Sequence, residues 1–276
     1  VAHRAYAAIA AAAIVLGLAA IQDYAGGTAV GAPQTASALS IERGRHLALV
    51  MGCTTCHGAT FGGTKVFDQP SSVVLWASNL TRGRGGFLAT HGMADFDRAV
   101  RHGYGPDGKK LLDMPSWDFA GLSNEDLANV YAVVRAAAPV NRTVPKVRFG
   151  PQAAETIAAG VIRYDADRLA HTRLPALDSA PGVNAAYGRY LTRILGCQAC
   201  HGEHFTGSPP GVPVGAPPLT PRTIGTWTAR DFVNTIRTGK TPTGMSLGNE
   251  MPWRVYAKMT DDELHAIHAY LKTFHD

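Results

Sequence analysis

The stretch Gly44–Gly63, GRHLALVMGCTTCHGATFGG, returns 144 residues later as Gly188–Gly207, GRYLTRILGCQACHGEHFTG, with ten of twenty positions identical. Similarity of that density at a fixed offset marks a duplicated unit. The likeness resumes downstream: ADFDRAVRHG from Ala94 answers RDFVNTIRTG from Arg230, and LSNEDLANVYAVVR from Leu122 answers MTDDELHAIHAYLK from Met259. Two similar domains are therefore expected at 41–138 and 184–276, joined by a linker at 139–183. Ahead of the second Cys string, Tyr187, Tyr190, Leu191, Ile194 and Leu195 recur at helical spacing. Each unit ends in a further helix, opened by Ser123 with Asp126 or Thr260 with Glu263 at capping-box spacing. No run alternates convincingly as a strand, so each unit reads as a small all-helical fold with long loops. The linker, with several Pro and Gly, holds a helical stretch near 153–159 and is expected to pack over the domains.

All four cysteines of the chain, Cys53, Cys56, Cys197 and Cys200, fall in these strings, and His57 or His201 follows each pair directly. In C-x-x-C-H the two thiols stand on one turn of backbone, spaced to form thioethers with the vinyl groups of one haem, and the histidine falls under the iron. Two covalently bound c-type haems are thus expected, one on Cys53 and Cys56 with His57, one on Cys197 and Cys200 with His201. A redox dithiol would accompany a βαβ pattern, and a zinc site would draw both strings into one cage; neither accounts for a histidine after both pairs. For the far side of each iron the repeat singles out Met114 in DMPSW and Met251 in EMPW, aligned at the offset of 137 that also aligns the terminal helices. A thioether ligand stabilises ferrous iron and raises its potential relative to two histidines. Met51, Met93 and Met259 read as packing residues, and Met245, in a Gly-containing loop, is the rival to Met251. His204 and His268 read as surface or packing residues, and Trp117 and Trp253 as residues beside the haem pockets.

With 276 residues, 46% of them hydrophobic, the chain is long enough for two cores. Its charge of +5 comes without any long Lys/Arg run, which argues against nucleic-acid binding. Ala5 to Ile21 carries no charged residue. As a helix at about 1.5 Å per residue it would span about 26 Å, against roughly 30 Å of hydrocarbon. Residues 1–22 are read as a transmembrane anchor with Arg4 on the cytoplasmic side, and 23–40, rich in Gly, Ala, Thr, Pro and Ser, as a flexible tether. The competing reading is a secretory signal peptide with Ala19 and Ala20 near its cleavage point. Both place the haem domains on the periplasmic side of a bacterial cytoplasmic membrane.

With CTTCH and MP in the first copy and CQACH and MP in the second, the chain resembles the class I cytochrome c fold, repeated twice. The order C-x-x-C-H-G, a Leu-Thr element at Leu80-Thr81 and Leu219-Thr220, a D-F helix and the MP loop is similar to that of the cytochrome subunits of bacterial membrane-bound dehydrogenases, over 41–138 and 184–274. Those subunits typically carry three haems and pass electrons from a periplasmic dehydrogenase toward ubiquinone or an oxidase; this chain has two strings. The resemblance implies an electron carrier or electron-transfer subunit, not an enzyme with its own substrate. Its partners would be a dehydrogenase or quinol-oxidising complex on one side and an oxidase or further carrier on the other. The alternative, a two-haem peroxidase or thiosulfate-oxidising cytochrome, needs an exchangeable position on iron, which a methionine at both sites would close. A third reading is a permanent subunit of a larger respiratory assembly.

Overall fold

The computed structural model describes residues 38–169, 177, 180–208 and 215–274. The first repeat runs α1 (Ala38–Val50), α2 (Cys53–His57), β1 (Lys65–Asp68), β2 (Val73–Trp76), α3 (Met93–His102), α4 (Ser116–Phe119) and α5 (Asn124–Ala136). The connecting segment adds β3 (Arg148–Phe149) and α6 (Ala153–Ala158). The second repeat runs α7 (Ala185–Ile194), α8 (Cys197–His201), α9 (Pro221–Ile224), α10 (Ala229–Thr238), α11 (Trp253–Tyr256) and α12 (Asp261–Leu271). The helices α1 to α5 thus recur, in order, as α7, α8, α10, α11 and α12, a mainly helical cytochrome c-like arrangement. The anchor expected at 1–22 lies outside the described residues, as does the tether up to residue 37; α1 already begins at Ala38. No helix among the described residues is long and apolar enough to cross a membrane.

In each repeat the helix before the Cys string packs on the terminal helix, α1 on α5 and α7 on α12. A glycine stands at each crossing: a Cβ on Gly44 would lie 2.0 Å from Asn129 O, and one on Gly188 would lie 2.0 Å from Ala266 O. The two backbones touch there, and a side chain would part them. Around these contacts Leu47, Val50, Leu127 and Val134 in the first repeat, and Leu191, Ile194, Leu264 and Leu271 in the second, are buried in one continuous apolar core. Removing side chains of this size from water stabilises by roughly 1.5–3 kcal/mol each. The helix start at Thr260 is a full capping box: its Oγ1 accepts the Glu263 N–H at 3.2 Å, and the Glu263 carboxylate accepts the Thr260 N–H at 2.9 Å. At Ser123 only half the box forms, the Asp126 N–H donating to Ser123 Oγ at 3.1 Å.

The Asp126 carboxylate is engaged at the junction between the repeats instead. It accepts from Tyr190 Oη at 2.7 Å and from Arg43 at 3.0 and 3.1 Å, while Arg43 Nη1 donates to Tyr187 Oη at 2.9 Å. Its counterpart Glu263 accepts from His46 Nε2 at 2.8 Å. His46 and Tyr190 are equivalent at the offset of 144, and Asp126 and Glu263 at 137. The same two positions therefore meet twice, once in each direction, so the repeats face each other across a local twofold axis. Each such bond, to an ionised acceptor, contributes about 1.5–3 kcal/mol. Burial alone would push the Glu263 carboxyl up, but the His46 ring, the Thr260 N–H and Arg43 outweigh it and hold the group below its ordinary value.

The all-helical expectation needs one correction. β1, β2 and β3 form an antiparallel sheet in that order. Val73, Val74 and Leu75 of the central strand are all buried. A strand covered on both faces shows a continuous apolar run rather than alternation, and β3, at two residues, is too short to show any pattern. Val73 and Leu75 share a second, smaller core with Ala153 of α6 and Ile162. The linker is further held where Asn79 Nδ2 donates to Val140 O at 2.8 Å and to Arg142 O at 2.9 Å. The helical stretch expected near 153–159 is α6.

Candidate functional site

Each Cys string is one short helix, entered through a glycine in the left-handed region, Gly52 at φ +77 or Gly196 at φ +72. The turn leaves Cys53 and Cys197 half-buried against the core and Cys56 and Cys200 exposed, and none of the four is in a disulfide. Burial pushes the Cys53 and Cys197 thiols up to about 12. Cys56 is raised by burial and the charge of Asp113, and Cys200 by burial and that of Asp118. Among the described residues no three His, Cys, Asp or Glu come together so as to hold a metal ion, and the two strings form no common cage.

The two histidines are held alike. His57 Nδ1 lies 2.8 Å from Ser78 O, and His201 Nδ1 lies 2.8 Å from Pro217 O. A carbonyl can only accept, so Nδ1 carries the proton and Nε2 keeps its lone pair, the arrangement that orients an imidazole as a metal ligand. Burial lowers the pKa of both rings, with the carbonyls opposing, and favours the neutral form a ligand needs. Ser78 and Pro217 stand two residues before the recurring Leu-Thr elements. Those elements are pinned just beyond the Cys strings, Leu80 N–H to Phe61 O at 2.7 Å and Leu219 N–H to Phe205 O at 2.8 Å.

The methionine loops also match. After α3 the Leu111 N–H returns to Gly103 O at 2.7 Å, and after α10 the Leu247 N–H returns to Gly239 O at 2.8 Å. Met114 and Met251 follow, and their carbonyls accept the N–H of Ser116 at 2.7 Å and of Trp253 at 2.8 Å, opening α4 and α11. Both methionines are half-buried at the edge of the core that Cys53 and Cys197 also flank. Met245 is 69% exposed, and Met259 is buried within the core. Asp113, beside Met114, is close enough for its charge to raise the Cys56 thiol. Tyr256, five residues after Met251, donates to Leu195 O at 2.6 Å beneath the second string. Each loop is thus brought toward the Cys string of its own repeat.

These residues fit a covalently attached haem: a thiol pair on one turn, a neutral imidazole with Nε2 available, and a half-buried thioether in a loop folded back on the same string. Of the others, His268 Nε2 lies 3.2 Å from Trp227 O and its ring packs on Phe232, while His204 is exposed. Trp117 is buried between two guanidinium groups, 3.7 Å from Arg193 and 4.2 Å from Arg168, whereas Trp253 is only half-buried. The sequence alone does not point to Ser78 and Pro217, whose one signal is their fixed distance from the Leu-Thr elements, or to Asp118, which reaches the second string from the first repeat.

Residues 183–271 match the family model for the cbb3-type cytochrome c oxidase subunit III. The fructose dehydrogenase cytochrome subunit of Gluconobacter japonicus is 26% identical over 264 residues, which cover 87% of this chain and 54% of that protein. The cytochrome c subunit of a quinone-type alcohol dehydrogenase from Gluconacetobacter polyoxogenes is 25% identical over 279 residues, 90% of this chain and 58% of that one. A dihaem c-type cytochrome of Cereibacter sphaeroides is 26% identical, with 83% of this chain and 84% of that protein covered. The chain spans little more than half the length of the dehydrogenase subunits it matches. With these matches, the resemblance read from the Cys strings and MP loops is borne out: the chain is similar to the cytochrome c subunits of bacterial dehydrogenases and to a dihaem cytochrome c.

Proposed function

We propose that this chain holds two c-type haems, in domains at 41–138 and 184–276, and serves as the electron-transfer subunit of a dehydrogenase or respiratory complex. The observation that carries the reading is the twofold recurrence of a histidine fixed through Nδ1 by a backbone carbonyl at 2.8 Å, directly after a thiol pair. In each site the cysteines would tether the group, His57 or His201 would offer Nε2 from one side, and Met114 or Met251 would offer its thioether from the other. Bound there, haem iron supplies a reversible one-electron couple. The apolar core beside Cys53 and Cys197 would help to exclude water from the site, and the exposed Cys56 and Cys200 would leave it within reach of a partner. With a histidine and a methionine both committed as ligands, the site would leave no place for a substrate, so the chain would carry electrons and leave substrate chemistry to its partner, a role supported by relatives named as cytochrome subunits of dehydrogenases. The apolar run within residues 1–22 would hold it to the outer face of a bacterial cytoplasmic membrane.

The test is to express the chain with a c-type cytochrome maturation system and count covalent haem by the pyridine haemochrome spectrum and intact mass. Two haems are expected, falling to one in Cys53→Ala/Cys56→Ala and to one in Cys197→Ala/Cys200→Ala. A wild-type chain with fewer than two overturns the reading. Gentle detergent solubilisation and capture of the tagged chain should bring down a dehydrogenase whose substrate reduces the haems; a partner lacking any such activity would refute the dehydrogenase assignment.

A further inference from the structure

The two Cys strings differ in what stands behind them. A Cβ on Gly52 would meet nothing within 4 Å, whereas one on Gly196 would lie 2.7 Å from Asp118 Oδ2. Asp118 belongs to α4 in the first repeat, and Val255 holds the equivalent place in α11. At this position a carboxylate therefore reaches the Cys string of the other repeat in one direction only. Asp118 is 7% exposed, and its Oδ1 is buried with no hydrogen-bond partner among the described residues.

Its surroundings leave it short of donors. Arg163 and Arg168, which could pair with it, lie 3.0 and 3.4 Å from Asp165 instead. Arg193 donates to Trp117 O at 2.6 Å and stacks on that ring. From α11 it is faced by Tyr256, whose phenol burial pushes well above its ordinary value and which stays neutral. From α8 it is faced by Cys197 and Cys200, which its charge raises. Burial, with the charge of Asp165 added and the three arginines opposing, pushes the Asp118 carboxyl up to about 7. A buried acid of this kind responds to any change of charge nearby, because little solvent intervenes to screen it.

We propose that Asp118 is the proton partner of the second Cys string, taking up a proton when the redox centre there gains an electron and releasing it when the electron leaves. The proposal rests on the two-haem reading above. One electron arrives from the donor; a hydronium ion of the solvent gives up one proton, its O–H bond breaking as an O–H bond forms on an Asp118 oxygen and leaving a water molecule, and no covalent bond of the protein skeleton changes. Behind the first string Val255 stands where this acid would be, so Asp118 serves one of the two sites; Asp113, whose charge reaches Cys56, is a separate group of the first repeat and is untouched by changes at Asp118.

The test is spectroelectrochemical titration of the two-haem holoprotein across neutral pH, with the second-string component identified as the one displaced by Met251→His. In the wild type that component should fall in potential as pH rises through neutrality. In Asp118→Asn it should stay level near the wild-type acid limit, and Asp118→Glu should restore the slope; the other component should behave alike in all three. An unchanged slope in Asp118→Asn, or a slope lost equally from both components, overturns the proposal. If Asp118→Asn does not fold, the wild type decides: reduction in weakly buffered neutral solution with an indicator dye should show proton uptake, and none would overturn it. A wild-type product with a single haem instead removes the reading on which the proposal stands.

Discussion

Replacing Gly188 by alanine sets two magnitudes against each other. Gly188 lies inside α7, where alanine is favoured over glycine by about 1 kcal/mol in an open helix. The new Cβ, however, would stand 2.0 Å from Ala266 O, 2.5 Å from Ala266 C and 2.8 Å from Tyr270 Cβ. Ordinary contact begins near 3.4 Å, so α7 and α12 must part by more than an ångström, and the obstacle is mid-helix backbone that no rotamer change can clear. Overpacking of this kind costs about 1–3 kcal/mol and occasionally more. Because the overlap is with a carbonyl, the upper part of that range applies, for a net loss of about 2 kcal/mol after the propensity gain. At about 2–4 °C per kcal/mol for a chain of this size, Gly188→Ala should melt about 4–8 °C below the wild type. Thermal unfolding of the haem-loaded protein by far-UV circular dichroism reads this directly. Gly44→Ala should behave alike, since its Cβ would meet Asn129 O at 2.0 Å. A melting point at or above the wild type for either variant would mean that the helices adjust freely, and would refute close approach as the reason for the glycine.

At the junction, Tyr190→Phe removes the donor to Asp126 and should cost about 1.5–3 kcal/mol in urea unfolding; a loss under about 0.5 kcal/mol would show that the pair contributes little. Glu263 has its pKa lowered from the ordinary 4.5 in the folded protein, so its contribution is present above that value and is lost as pH falls through the folded one. The stability difference between wild type and Glu263→Gln, which keeps the capping geometry, should therefore shrink on acidification below 4.5; a difference independent of pH would contradict it. Met114→His and Met251→His should each lower the potential of one haem and shift its ligand-field bands, as replacement of a thioether by an imidazole requires. If neither variant moves a potential or a band, the methionine assignment fails.

What could be read from the sequence was what local chemistry dictates. The spacing of Cys53, Cys56 and His57 is a property of one helical turn, and the stripe at Tyr190, Leu191 and Ile194 is a property of helical period, so both were visible in the string itself. β2 was not, because Val73, Val74 and Leu75 are buried on both faces and share no alternation. The carbonyls of Ser78 and Pro217 were invisible for a different reason: every residue has a carbonyl, and only folding chooses the one that meets the imidazole. The junction escaped because its contacts join residues far apart in the chain, Tyr190 with Asp126 and His46 with Glu263, and no local pattern links them.

The local twofold axis bears on how the chain came to set Asp118 behind one Cys string and no acid at the equivalent place behind the other. Two identical polypeptides meeting across such an axis would repeat every substitution on both sides, and an aspartate set against one glycine would be set against the other as well. Joining the copies end to end lifts that constraint. Asp118 could arise opposite Gly196 while Val255 kept the reciprocal position apolar. Covalent fusion thus turns a self-complementary contact into two independently adjustable ones, and two halves that share a helix order become free to surround their Cys strings with different charge.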